Sequence, residues 1–273
     1  MFSGLLSIPQ AVLLGIVEGI TEFLPVSSTG HLLVVGELIG FGSGSSSAAD
    51  TYSIAIQFGA ILAVLLLYRH RVWSAARGLV GADADGRAFL IRLIVAFLPA
   101  AFLGVLAGDA MKSALFGPVP VTIAWVVGGV FLLRWKPTVG SVSLHEMPIR
   151  AALIIGCAQS LALWPGVSRS LVALIAALAV GLSMSAAIEF SFLLGLVTLS
   201  SATAFDVTKH GNELVDQFGV LAPSIGLVCA FITAVIAVKW MVGYLESHSL
   251  RIFGWYRLAI GAVSVVLLAT NVL

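Results

Sequence analysis

Long apolar stretches, interrupted by two short polar islands, set the plan of this chain. A membrane-spanning helix needs about 20 mostly apolar residues. The stretches 51–68, 88–107, 118–134, 219–242 and 254–272 fit that requirement, and 186–205 fits it while carrying Glu189. The pattern therefore predicts six transmembrane helices. Two other regions behave differently. Residues 5–40 are interrupted from Pro25 to His31, and residues 150–182 from Pro165 to Ser170. In each, a longer arm goes in and a short arm returns. Non-helical backbone survives at membrane depth only where protein or water satisfies it. Both regions are accordingly predicted to be re-entrant helical hairpins.

The interrupted regions echo one another. Gly15-Ile16-Val17-Glu18 aligns with Gly156-Cys157-Ala158-Gln159, and on the same offset Val26-Ser27 falls on Val167-Ser168. Further on, Ala55-Ile56-Gln57-Phe58 resembles Ala187-Ile188-Glu189-Phe190, with acid and amide exchanged between the halves. Each half, roughly 1–136 and 137–273, would hold one hairpin and three spans. An odd number of spans inverts the second half relative to the first. The expected fold is thus an all-α polytopic membrane protein, a single integral membrane domain with six transmembrane helices and two re-entrant helical hairpins in an inverted-topology repeat. Interrupted segments in corresponding positions point to a site where the halves meet.

Composition supports the membrane reading. Of 273 residues, 60% are hydrophobic and 10% charged, against about half and a quarter in soluble domains. A formal net charge of +1, with no basic stripe, argues against a nucleic-acid partner. Cys157 and Cys229 lie in apolar runs and read as small core residues. The first apolar stretch lacks a basic leader and contains Glu18 and Glu22, so it is expected in the mature protein. Arg69, Arg71, Arg77, Arg87 and Arg92 cluster after the first span, Arg134, Lys136 and Arg150 after the third, and Lys239 and Arg251 before the last. In the six-span scheme all three groups fall on one side, which is then cytoplasmic. An acidic loop at Asp206–Asp216 and both termini would lie opposite.

Candidate chemistry concentrates at the two islands. Glu18 and Glu22 are four residues apart and share a helix face. Such a pair suits a divalent cation, a proton relay or an arginine partner, and a hard cation such as magnesium or calcium fits oxygen ligands. Ser27, Ser28 and Thr29 follow Pro25. One hydroxyl is explained as a helix cap; three hydroxyls beside His31 and two acids suggest more. Serine is a weak nucleophile until activated, and His31 is close enough in sequence to be its base. At the second island, Arg169 offers a planar fork suited to phosphate oxygens. Ser168, Ser170 and the amides of the following helix add donors. Gln57, Gln159 and Glu189 either line the site or join helices. Asp109 and Lys112 are expected in an exposed loop, and His70, His145, His210 and His248 in surface loops. An arginine, serines, a histidine and paired acids at a break inside the membrane suit phosphoryl transfer on a lipid phosphate drawn from the bilayer.

These islands also carry a family resemblance. EGITEFLPVSSTGH and LALWPGVSRS look like the two signature regions of the bacterial undecaprenyl-diphosphate phosphatases of the bacitracin-resistance type. AIQFGAILAV at 55–64, LPAAFLG at 98–104 and EFSFLL at 189–194 extend the likeness over essentially the whole chain. The resemblance implies hydrolysis of undecaprenyl diphosphate to the monophosphate, which recycles the lipid carrier of cell-wall synthesis in the bacterial inner membrane, at a site opening outward. By position it makes Ser28 the proposed nucleophile, His31 the essential histidine, Glu18 and Glu22 the acidic pair tied to metal and catalysis, and Arg169 the phosphate-binding arginine. Ser27, Thr29, Ser168 and Ser170 take supporting places. It leaves open whether serine or histidine attacks. Two features depart from the family pattern. The second signature usually continues as SRSGxT, where this chain has Leu171-Val172-Ala173, and the proline usual after FLLA is replaced in Leu194-Gly195-Leu196-Val197. The alternative to an enzyme is a transporter or flippase of a polyprenyl phosphate lipid, which would use the same repeat without hydrolysis. A homo-oligomer is compatible with all of this.

Overall fold

The computed structural model describes residues 6–41 and 46–273. Eleven α-helices follow in order: α1 (Ile8–Thr21), α2 (Ser28–Leu38), α3 (Ser46–Leu67), α4 (Arg69–Leu79), α5 (Ala84–Leu115), α6 (Pro118–Arg134), α7 (Ile149–Gln159), α8 (Arg169–Ala179), α9 (Met184–Phe218), α10 (Leu221–Leu245) and α11 (Arg251–Ala269). A 3₁₀ turn, Ser160–Leu163, extends α7. The described residues contain no strand, only an isolated bridge between Val142 and Leu182.

Among the described residues, four stretches are long and apolar enough to cross a membrane: Ala84–Gly108, Met184–Phe205, Leu221–Leu245 and Arg251–Ala269. A fifth candidate begins in α3, after which the chain turns by 85° into the arginine-bearing α4. At 17 residues α6 sits at the lower end of the usual range, about 17–25. The outward faces are apolar. Phe102, Val105, Leu106, Val127, Ile236 and Val266 are all exposed, which is the reverse of a soluble surface and fits contact with lipid tails.

Two expectations about connections are corrected. The segment Asp206–Asp216, expected as a loop, continues α9 to Phe218. Asp109 and Lys112 likewise fall within α5 rather than a loop. In both cases polar residues extend an apolar helix beyond its membrane-length core, because intrahelical hydrogen bonding needs no apolar side chain. Cys157 is exposed rather than a core residue, and both cysteines are free.

The helices pair in a two-fold pattern. α1 packs on α10, and α7, its counterpart, packs on α5. α3 touches α9, α6 touches α11, and each hairpin closes on itself, α1 on α2 and α7 on α8. The repeat glycines make the first two contacts. A Cβ on Gly15 would strike the Gly226 carbonyl of α10, and one on Gly156 the Ala96 carbonyl of α5. Gly19, one turn beyond Gly15, meets the Ala230 carbonyl in the same way. Small residues four apart let helix backbones approach closely in a membrane. This seam was not singled out from sequence. It fixes the depth and rotation of α1, and with them the glutamates it carries.

The arginine clusters come together by contact. Arg71 pairs with Glu189 at the start of α9 at 2.7 Å. Arg92 donates to the His145 carbonyl at 3.1 Å, and Arg251 to the Leu133 carbonyl at 3.5 Å.

Candidate active site

Both hairpins break at a serine with an unusual backbone. Ser27 and Ser168 each have φ of 74°, with ψ of 99° and 109°. Non-glycine residues seldom take positive φ, and strain of this kind amounts to about 1–3 kcal/mol per residue. Each serine caps the helix it opens. Ser27 Oγ accepts from the Gly30 amide and Ser168 Oγ from the Leu171 amide. The two strained caps thus aim the first turns of α2 and α8, with their positive dipole ends, into one place.

The tips touch. The Gly166 amide donates to Ser27 Oγ at 3.1 Å, and Ser170 Oγ donates to the Leu24 carbonyl at 3.0 Å. Gly166 has φ of 93°, and a Cβ there would meet Ala124 and the Val121 carbonyl of α6, so only glycine makes this turn. The central contact is made by Glu22. Ser28 Oγ donates to its Oε2 and Arg169 Nη2 to its Oε1. The Glu22 side chain is almost fully buried, whereas Arg169 keeps 21% of its side chain exposed. One carboxylate therefore joins the hydroxyl of the first tip to the guanidinium of the second.

Above this trio lies a cavity of about 310 Å³. Glu22, Ser27, Ser28, Thr29, Ser168 and Arg169 form its polar part, together with Gln57, Gln159 and Thr198. Ala100, Phe116, Leu163 and Leu199 form an apolar part. Gln159 donates to Thr198 Oγ1 at 3.3 Å, while its Oε1 is buried without a partner. Glu189, the repeat counterpart of Gln57, is absent from this lining because Arg71 holds it. The repeat position thus serves the cavity in one half and joins helices in the other.

Glu18 lies one turn beneath Glu22, fully buried, and neither of its oxygens has a hydrogen-bond partner. Orphaned carboxylate oxygens next to a second carboxylate fit a hard divalent cation. Among the described residues no three His, Cys, Asp or Glu side chains cluster as a complete metal cage. The pair therefore suits an ion that completes its shell with water and phosphate oxygens, the usual habit of magnesium.

His31 is placed differently from its expected pairing with Ser28. Its Nδ1–H donates to the Ser27 carbonyl at 2.7 Å, and a neutral ring then accepts at Nε2 from the Tyr256 hydroxyl at 2.8 Å. The ring stacks on Tyr256 and lies against Trp125. Helical spacing explains the difference: one turn of α2 brings the His31 side chain back onto residue 27, and Glu22 occupies the place beside Ser28.

The departures at Leu171 and Ala173 lie away from the cavity. Both side chains are buried in the apolar core, so Leu171 does not crowd the cavity, and Ser168 still caps its amide.

Tyr256, Arg257 and Trp125 escaped the sequence reading. Arg257 is fully buried within α11. A charged residue inside the stretch 254–272 is itself a signal, since ionisable groups in spans are functional candidates.

Known proteins resemble this chain over most of its length. Residues 11–263 match the family described as bacitracin resistance protein BacA. The undecaprenyl-diphosphatase of Sorangium cellulosum (strain So ce56) is 44% identical over 261 residues, 93% of this chain and 84% of that one. That of Nitrosomonas europaea is 45% identical over 258 residues, 93% and 92% of the two chains. That of Acinetobacter baumannii (strain ATCC 17978) is 40% identical over 260 residues, 94% of each.

Proposed function

The chain belongs to the bacitracin resistance protein BacA family, and on that premise we propose the following account of its activity. It is an undecaprenyl-diphosphatase, a multi-pass bacterial membrane enzyme that hydrolyses undecaprenyl diphosphate to undecaprenyl phosphate and inorganic phosphate. The product is the lipid carrier used again in cell-wall synthesis. The observation that carries the site assignment is the Glu22 carboxylate, which receives Ser28 from one hairpin tip and Arg169 from the other.

The diphosphate headgroup enters the cavity while the prenyl chain stays among lipid tails along the apolar part. Arg169 turns from Glu22 to the phosphate oxygens, for which its planar fork is suited. Glu22 keeps its other oxygen on the Ser28 hydroxyl, placed to take its proton. Ser28 Oγ attacks the terminal phosphorus as its proton passes to Glu22. The bond from that phosphorus to the bridging oxygen breaks, the bridging oxygen takes the proton from Glu22, and undecaprenyl phosphate leaves. Glu22, a carboxylate again, then takes a proton from water as the water oxygen attacks the phosphoserine phosphorus. The bond from that phosphorus to Ser28 Oγ breaks, Glu22 returns the proton to Oγ, and inorganic phosphate leaves. The amides at the starts of α2 and α8 and the serine hydroxyls hold the transferring phosphoryl group. Serine is favoured over histidine as nucleophile because Ser28 lines the cavity and has a base, whereas both nitrogens of His31 are engaged elsewhere. A divalent cation, magnesium or calcium, would be held by Glu18 and Glu22 and would neutralise phosphate charge.

The layout we infer is six spans with α1–α2 and α7–α8 as re-entrant hairpins of an inverted repeat. It is supported by the length of each hairpin arm and by the exchanged contacts of α1 with α10 and α7 with α5. With the arginine-rich ends in the cytoplasm, the first hairpin enters from outside. The protein resides in the inner membrane with its cavity opening outward. A flippase reading finds no support among the relatives, which are named as diphosphatases.

The test is phosphate release from undecaprenyl diphosphate by purified protein with magnesium. Arg169→Ala and Ser28→Ala are each expected to lose most of the activity. Wild-type turnover in both would reject the assigned site.

A further inference from the structure

One buried charge has no part in the reaction above. Arg257 is completely enclosed, and an enclosed guanidinium is costly by several kcal/mol unless its donors are met. Its hydrogen bonds go to backbone carbonyls. Nη2 donates to Ala124 and Gly166, both at 2.8 Å, and Nη1 to Pro25 and Val167, both at 3.4 Å. Pro25 belongs to the first break, Gly166 and Val167 to the second, and Ala124 to α6. Nε alone lacks an acceptor. A Cβ on Gly128 would strike the guanidinium, so α6 is shaped around it.

The repeat supplies a comparison. Trp125 stands in α6 where Arg257 stands in α11, at the spacing that relates Gln57 to Glu189. The Trp125 indole donates to the Val26 carbonyl at 2.9 Å, and Val26 is the repeat counterpart of Val167. Each half thus holds its own tip through the same helix position. An indole has one donor and serves one tip. A guanidinium has five donors in a fixed fork, and Arg257 serves both.

We propose that Arg257 is a positioning residue for diphosphate hydrolysis. By gripping both breaks together it sets the separation of Ser28 from Arg169. It touches neither of those side chains and is absent from the cavity lining. Lysine is a poor substitute, because three donors on one nitrogen do not match carbonyls arriving from three segments. The proposal rests on the site as assigned above.

The test compares wild type, Arg257→Lys and Arg257→Gln in lipid nanodiscs, by steady-state hydrolysis of undecaprenyl diphosphate with magnesium, thermal unfolding, and amide hydrogen exchange over residues 22–32 and 160–172. Misplacement of reacting groups by about 1 Å is worth about 100-fold in rate. Arg257→Gln is therefore expected to lower kcat by about 100-fold with KM within about threefold. Arg257→Lys should recover part of kcat. Exchange should quicken at both tips and stay unchanged elsewhere. Wild-type kcat in folded Arg257→Gln, a rise in KM at unchanged kcat, or exchange that quickens throughout the fold would overturn it. If Arg257→Gln does not fold, the kcat and tip exchange of Arg257→Lys decide. If the Arg169→Ala and Ser28→Ala enzymes turn over normally, the site assignment fails, while exchange at the tips still settles whether Arg257 holds them together.

Discussion

Replacing Glu22 by glutamine tests the centre of the site with little change of shape. The amide keeps an acceptor for one of its two partners and presents a donor where the other acceptor stood. It cannot take a proton from Ser28. A positioned general base contributes about 10²–10⁴ in rate, or about 3–5 kcal/mol of barrier at about 1.36 kcal/mol per decade. Folding should suffer less. Breaking a buried ion pair is costly, by about 3–5 kcal/mol, when the stranded charge stays buried. Here the stranded charge is Arg169, which retains 21% side-chain exposure and lines the cavity. A loss of about 1–2 kcal/mol is expected on that ground.

The informative measurement is the cycle of Glu22→Gln, Ser28→Ala and the double variant. It is read as phosphate release from undecaprenyl diphosphate with magnesium, normalised to folded protein. If carboxylate and hydroxyl act as one unit, the double variant should be about as slow as the slower single variant. Two observations would refute the reasoning. One is Glu22→Gln retaining more than about a tenth of wild-type kcat, since no positioned base is worth so little. The other is full additivity of the two losses, which would mean the residues work in separate steps.

Two predictions concern the frame around the site. Gly19→Val drives a side chain into the Ala230 carbonyl and Thr233 of α10; a loss of about 1–3 kcal/mol or more is expected, seen as a lower unfolding midpoint, while Gly243→Ala, with open space around it, should be neutral or mildly stabilising. Asp83 caps α5, and its carboxyl is held below the ordinary value of 3.8 chiefly by the Gly86 amide and next by the Ser74 hydroxyl. A depressed folded pKa contributes stability that is present above the unfolded value and lost as pH falls through the folded one. The stability gap between wild type and Asp83→Asn should therefore be largest near neutrality and close on acidification below 3.8; a gap unchanged with pH would contradict the charged cap.

How much could be read from sequence follows from the reach of each signal. Breaks at Pro25 and Pro165, and the polar residues beside them, are local, and a local rule finds them: backbone without helix geometry needs partners in the membrane. Meeting of the tips was inferable from the repeat. Which side chain serves Ser28 was not, because neighbours in sequence are not neighbours in space once a helix starts between them. His31 is three residues from Ser28, yet Glu22, across the break, receives its hydroxyl. The polar extensions of α5 and α9 were misread for a related reason. Hydropathy marks where a helix meets lipid, not where its hydrogen bonding ends.

The repeat explains why the site is built from unlike residues in like positions. Ser28 and Arg169 follow the two strained caps Ser27 and Ser168, so they are counterparts in the two halves. Each opens a helix whose first turn faces the cavity. The duplicated scaffold supplies two equivalent positions on the cavity, one filled by a hydroxyl, the proposed nucleophile, and the other by a charged fork. Glu18 and Gln159 are likewise counterparts, and both keep buried oxygens without partners. Trp125 and Arg257 complete the set, one donor against a fork, on the tips they hold. A symmetric site would present two serines or two arginines to the same phosphate and would lack either the grip or the attack. The proposed mechanism requires the halves to diverge at these positions, and the shared backbone geometry of the caps lets them diverge while keeping the substituted side chains aimed at one point.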